Sequence, residues 1–273
     1  MEKISVIIPT FNRANMIRKA LESVLMQKNV TTEIIVVDDG STDNTDFLIK
    51  NQFKTVKYFK QEHRGVSAAR NLGIMNATGT YVALLDSDDQ WELCKLTKQL
   101  NFLIKNPNYN LVHCSEKWYR AGLEVRQKKY HDRGPKDLFK RSLRRCLISP
   151  SSVLIRKALF KHVGFFDETL PACEDYDLWL RILVREEIGY INETLVLKFG
   201  GHPDQLSKKI RYLDLFRLKS LLKLLETGFL SNTQLLQIRE EINYKSRILL
   251  SGAEKHKNLG IIKQYYSLLK NVS

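Results

Sequence analysis

TYVALLDSDD, residues 80–89, sets a run of strand-forming apolar side chains directly against a block of carboxylates. An unbroken apolar run of that length suits a strand covered on both faces, as in a parallel sheet, better than one with a wet face. Three other runs share its character: KISVIIP at 3–9, EIIVVD at 33–38 and TVKYF at 55–59. Residues 13–27, 42–52 and 66–77 read as helices between them. The first hundred residues therefore predict βαβ units and an open, doubly wound α/β sheet. Ligands of such sheets bind outside the carboxyl ends of the strands, so the polar residues following each run are the candidates for chemistry.

Farther along, a helix is predicted near 91–105, a strand at 110–115, a basic polar stretch to about 145 and another strand at 151–155. A helix over 174–186 and strand-like segments at 188–192 and 194–199 lead to GGHPDQLS, 200–207. From Arg211 the pattern is helical, with Leu215, Leu218, Leu222 and Leu225 on one stripe, and two more helices follow near 232–250 and 258–270. The 273 residues thus divide into an α/β domain over 1–207 and a basic helical extension over 208–273. No run approaches the roughly 18 apolar residues of a spanning helix, and MEKISVIIPT enters a strand rather than a signal peptide, so the expected compartment is the cytoplasm. Cys94, Cys114, Cys146 and Cys173 are widely spaced, suggesting neither a zinc site nor a disulfide framework.

The formal charge of +14 is unevenly placed. Residues 117–145 hold 11 Lys and Arg against 3 Asp and Glu, and residues 203–273 hold 13 against 6, leaving the remainder near neutral. Such surfaces attract phosphates, anionic membrane or nucleic acid without choosing among them. Acidic side chains instead cluster at strand ends: Asp38 and Asp39; Asp86, Asp88 and Asp89; Glu174 and Asp175. Carboxylate oxygens are hard ligands suited to magnesium or manganese, so Asp86 and Asp88 read as one metal-binding unit, while Ser87 and Asp89 also suit the cap of the helix expected near Trp91.

In order and spacing, VIIPTFNR (6–13), VVDDGSTD (36–43), GVSAARNLGI (65–74), LLDSDD (84–89) and ACEDYDLWLR (172–181) match the pattern of the family 2 glycosyltransferases, which the chain resembles over about residues 3–205. The resemblance implies a GT-A fold and an inverting, metal-dependent transfer of a sugar from a nucleotide-sugar donor, a UDP-sugar by preference, to a hydroxyl acceptor. It implies that Pro9, Thr10, Asn12, Asp39, Arg70, Asp86 and Ser87 meet the donor, and that Asp86 and Asp88, with His202, hold Mn2+ or Mg2+. It implies Asp175 as the base, with Glu174 as the fallback. Trp179 reads as a core residue or a wall facing sugar, and Gln205 and Ser207 as phosphate contacts. A saccharide or lipid-linked saccharide acceptor, and a role in bacterial surface polysaccharide or lipopolysaccharide assembly, are further expectations from the resemblance.

The family's motifs do not include the helical tail, for which docking on the catalytic domain, pairing of subunits and peripheral contact with anionic membrane stay open, docking being the simplest. A nucleotidyltransferase would carry a glycine-rich loop where this chain has PTFNRAN. A nucleic-acid partner is not expected, because no recognisable module appears and the acidic clusters repel phosphate unless a metal intervenes. A non-catalytic relative is disfavoured by the joint presence of Asp86, Asp88 and Asp175.

Overall fold

The computed structural model describes residues 2–202 and 210–270. The four apolar runs become strands β1 (Lys3–Thr10), β2 (Thr31–Asp38), β3 (Lys57–Lys60) and β4 (Tyr81–Leu84), joined by helices α1 (Ala14–Leu25), α2 (Thr45–Gln52) and α3 (Val66–Asn76). The strands lie in the order β3-β2-β1-β4, all parallel, with Thr10 opposite Asp38. Successive side chains leave a strand on opposite faces, and both faces are covered. Ile4, Val6 and Ile8 pack with Ile17, Leu21 and Val24 of α1, whereas Ile7 packs with Ile35, Val37 and Ala69 and Ile74 of α3. Helix α3 comes close because residue 73 is glycine: a Cβ there would stand 2.3 Å from Ile7 Cγ2.

The sheet continues with β5 (Asp89–Trp91), β6 (Leu111–Arg120), β7 (Leu123–Val125), β8 (Leu154–Arg156) and β9 (Gly189–Gly200), interspersed with α4 (Lys95–Lys105), α5 (Leu138–Arg144), α6 (Phe160–Val163) and α7 (Glu174–Leu183). Past β4 the order is β8-β6-β9-β5, with β7 on β6. Strand β8 is antiparallel to β4 and β6, β9 is parallel to β6, and β5 is antiparallel to β9. The doubly wound half therefore passes into a mixed half.

Several local expectations change for tertiary reasons. Asp89–Trp91 does not open a helix, because β9 captures it through Asp89↔Lys198 and Trp91↔Val196, and α4 starts only at Lys95. Asp89 and Ser87 consequently cap nothing there. Residues 188–192 and 194–199 are one strand, irregular opposite Cys114 and Ser115. The strand expected at 151–155 begins as a 3-10 turn, Pro150–Ser152, before β8.

Three helices end the described chain: α8 (Leu213–Leu225), α9 (Asn232–Lys255) and α10 (Leu259–Lys270). Leu221 and Leu224 of α8 and Ile238 of α9 share one core with Leu143 of α5 and Tyr176 and Leu180 of α7. Each such side chain contributes about 1.5–3 kcal/mol by leaving water. Lys223 adds ion pairs to Asp167 at 2.6 Å and Asp177 at 3.1 Å. The tail thus docks on the helix that carries Glu174 and Asp175. Among the described residues, no helix is long and apolar enough to cross a membrane.

Candidate active site

At the carboxyl edge of β1 and β2, polar groups are spent on shaping loops. Pro9 and Thr10 are buried at the end of β1, and Thr10 Oγ1 has no hydrogen-bond partner among the described residues. Asn12 takes a left-handed conformation (φ 53°), receives Thr42 N–H at 2.8 Å on its side-chain oxygen, and donates its backbone N–H to Ser41 Oγ at 2.8 Å. It therefore staples the β1–α1 loop to the β2–α2 loop. Asp38, fully buried, accepts from Ser41 N–H at 2.7 Å and Tyr58 O–H at 2.5 Å, in keeping with a structural part.

Asp39 accepts from Gln61 Nε2 at 2.6 Å and from the backbone N–H groups of Arg64 at 2.8 Å and Gly65 at 2.9 Å, with His63 Nδ1 at 2.8 Å. Those bonds hold loop 61–65 against the strand end, so a nucleobase reaching Asp39 shares oxygens already engaged. His63 stacks on Phe11, ring centroids 4.2 Å apart, at the same edge. Sequence reading passed over this pair, because an aromatic within PTFN has no periodic signal.

The centre of the site is Arg70. Small neighbours, Ala68, Ala69 and Gly73, let α3 lie close to the sheet, and the guanidinium is buried at 5% side-chain exposure. It donates to Asp86 Oδ1 at 2.8 Å and to Glu174 Oε1 at 2.7 Å, and also lies over the Phe166 ring. One cation thereby ties the end of β4 to the start of α7, whose Glu174 lies 104 residues after Arg70. Burial opposes the charges, but the two carboxylates hold the guanidinium protonated. Breaking such a buried pair from one side costs about 3–5 kcal/mol.

A second cation, Lys198 of β9, went unnoticed in the sequence because nothing in a strand pattern distinguishes it. Its Nζ lies 2.7 Å from Asp89 Oδ2 and 3.7 Å from Asp86 Oδ2. Burial disfavours the ammonium, yet Asp89, Glu116 and Asp86 together keep its pKa above the ordinary range. Ser151 completes the frame, donating Oγ–H to Asp89 at 2.6 Å and receiving Asp86 N–H at 3.1 Å. Asp86 is a stable anion: burial pushes it up, and Arg70 and Lys198 outweigh that. Asp88 differs. Burial and the charge of Asp86 both raise its pKa, and it forms no ion pair among the described residues.

This donor set suits a divalent cation in part. Two hard carboxylates emerge together, and the raised pKa of Asp88 marks a place where added positive charge is favourable. No group of three His, Cys, Asp or Glu is placed to hold a metal among the described residues. Magnesium commonly takes one or two carboxylates and completes its shell with phosphate oxygens and water. Asp86 and Asp88 fit that use, whereas the His202 ring nitrogen Nε2 is 2.8 Å from the Phe199 carbonyl. Ser87 is buried between the two aspartates, and Gln205 and Ser207 lie outside the described residues.

Across Arg70, helix α7 starts from Cys173 in a left-handed conformation (φ 63°), which turns Glu174 and Asp175 towards the strand ends. Glu174 is 5% exposed, and burial and Asp175 push its carboxyl up against the pull of Arg70. Asp175 is half-buried, receives its neighbour Tyr176 N–H at 2.7 Å and the Cys146 thiol at 3.4 Å, and has no cation on it among the described residues. Trp179 is 1% exposed in the core with Phe166, as the core reading expects.

With the geometry in hand, the chain matches the model of glycosyl transferase family 2 over residues 5–164. It is 36% identical over 220 residues to an uncharacterized glycosyltransferase of Rickettsia bellii, covering 76% of this chain and 31% of the relative. It is 30% identical over 197 residues to the UDP-Glc:alpha-D-GlcNAc-diphosphoundecaprenol beta-1,3-glucosyltransferase of Escherichia coli, covering 69% of this chain and 73% of that protein. The fold of Staphylococcus aureus TarS, solved with UDP-GlcNAc, superposes with a TM-score of 0.78 at 20% identity, over 99% of this chain and 80% of that one. The chain spans about a third of the length of several of the curated Rickettsia relatives it matches.

Proposed function

From the premise that this chain belongs to glycosyl transferase family 2, we propose that it transfers a sugar from a nucleotide-sugar donor, a UDP-sugar, to a hydroxyl of a diphosphate-linked saccharide, with inversion, in the assembly of a bacterial surface polysaccharide. The observation that carries the reading is the Arg70 bridge, because it joins the carboxylates after β4 to those opening α7 at one edge of the sheet. The E. coli relative, named for UDP-glucose and a GlcNAc-diphospho lipid, supports both substrate classes.

In this reading Asp86 and Asp88 hold Mn2+ or Mg2+ beside the donor diphosphate. The metal, when bound, acts as a Lewis acid that stabilises charge on the leaving nucleoside diphosphate. Arg70 keeps Asp86 ionised and fixes its direction. Asp175 is the base that takes the proton of the acceptor hydroxyl during in-line attack, and its freedom from any cation among the described residues supports it over Glu174, whose carboxylate is engaged by Arg70. Residues 1–207 supply these groups, and the helices of the tail, Leu213–Leu225 and Asn232–Lys255, act as a buttress behind α7.

The test is calorimetric binding of UDP, GDP and TDP with and without manganese. Manganese-dependent UDP binding that Asp88→Ala abolishes is the expected result. Binding of none of the three, or equal binding by the variant, overturns the donor assignment.

A further inference from the structure

Resting on the reading of the acceptor as a diphosphate-linked saccharide, we propose that Lys128 and Arg145, gathered on the ring of Tyr130, form the anion subsite that holds the acceptor's diphosphate beside Asp175.

The fold sorts the cations of the basic stretch 117–145. Some are neutralised: Lys117 by Glu124 at 3.4 Å, Arg133 by Glu116 at 2.7 Å, Arg141 by Asp132 at 2.7 Å and Arg144 by Glu241 at 2.9 Å. Lys128 and Arg145 have no carboxylate partner among the described residues, and both turn to one aromatic ring. Arg145 Cζ lies 3.9 Å from the Tyr130 centroid and Lys128 Nζ 5.7 Å from it. A guanidinium seated over a ring by cation–π attraction can still offer N–H groups to phosphate oxygens. The His131 imidazole abuts the same ring at 4.3 Å, and its pKa is lowered by burial and then by Arg133, Arg145 and Lys128, as befits a place where positive charge converges.

Two routes connect this patch to the site, one through the chain and one through packing. Arg145 immediately precedes Cys146, whose thiol donates to Asp175 Oδ2 at 3.4 Å. On the other flank, His131 packs on Trp118 at 4.8 Å, and Trp118 is the direct cross-strand neighbour of Lys198, itself paired with Asp89. Directly paired residues present their side chains on one face, so Trp118 stands on the face of the donor carboxylates. The segment is also held firmly. Glu116, 5% exposed, accepts from Arg133, from the Trp118 indole at 2.7 Å and from Ser149 Oγ at 2.5 Å. Chain continuity thus ties the patch to Cys146, which meets Asp175, and packing ties it to Trp118, which neighbours Lys198.

Calorimetry on the full chain distinguishes the source of the diphosphate. The probes are UDP, a short-tailed alkyl diphospho-N-acetylglucosamine, and the matching alkyl N-acetylglucosaminide without phosphate. The native protein is expected to prefer the diphosphate glycoside by about tenfold or more, Arg145→Ala to weaken that probe about tenfold, and the Lys128→Ala/Arg145→Ala variant to erase the preference with UDP affinity unchanged. Lys136→Ala/Lys140→Ala, exposed cations of the same stretch, should leave all affinities alone, and thermal unfolding should be unaffected in every variant. No preference in the native protein, a preference that survives the double change, an equal loss in the control pair, or a parallel loss of UDP binding each overturns the subsite. Failure of the native protein to bind any nucleotide removes the transferase reading instead, and is read from a separate titration.

Discussion

Lys95 offers the most quantitative test of the packing beneath the site. Its ammonium is fully buried in α4, donating to Gln99 Oε1 at 2.8 Å and to the Val153 carbonyl at 3.4 Å, and lying 3.9 Å over the Trp91 ring. Burial lowers its pKa from 10.5 to about 7. At 1.36 kcal/mol per unit, that fall corresponds to roughly 5 kcal/mol of penalty for the charged form. The unfolded chain binds the extra proton between about pH 7 and 10.5, so stability rises with pH through that window and the full penalty stands below it. From pH 7 to pH 9 the native protein should gain roughly 2 kcal/mol from this group. Lys95→Met keeps the volume and removes the titration. It leaves Gln99 Oε1 without its donor, a cost of about 1–3 kcal/mol that does not vary with pH. Urea unfolding of both proteins at pH 7 and pH 9 isolates the effect, since all other groups cancel in the difference. The variant should be the more stable at pH 7, with an advantage that shrinks by roughly 2 kcal/mol at pH 9. A difference constant to within about 0.5 kcal/mol, the usual additivity error, refutes the argument.

The two acidic residues of α7 should separate by phenotype. Asp175→Asn should retain donor binding and lose transfer by about 100-fold or more, whereas Glu174→Gln, which replaces one of the two charges held against buried Arg70 by a neutral amide, should lower the unfolding midpoint as well; transfer at the native rate by Asp175→Asn removes it as the base. Truncation after residue 207 should yield protein that aggregates or fails to show a cooperative melt, because Leu143, Tyr176 and Leu180 lose Leu221, Leu224 and Ile238. A soluble, cooperatively melting product would show that the tail is not part of the core.

Much of this architecture is written locally. The runs at β1, β2 and β4 are apolar at nearly every covered position, Ser5 and Glu33 excepted, so their strand character and parallel arrangement follow from unbroken apolar composition. The carboxylates at their ends are legible for the same reason: the acidic clusters stand where the covered strands emerge. What no local pattern carries is who meets whom. Asp89 reads as a cap, but β9 arrives from a hundred residues away and turns it into a strand residue facing Lys198. Arg70 reads as a helix residue near the donor, but its burial between Asp86 and Glu174 depends on α7 closing over α3. The apolar stripe of α8 announces that the tail covers something, but only the packed structure shows that Leu215 and Leu218 meet Leu249 and Tyr265 of the next two helices while Leu221 and Leu224 back α7. Periodicity reports the environment of each element because burial acts residue by residue. Ion pairs and shared cores depend on distances between elements, and those are set only when the whole chain has packed.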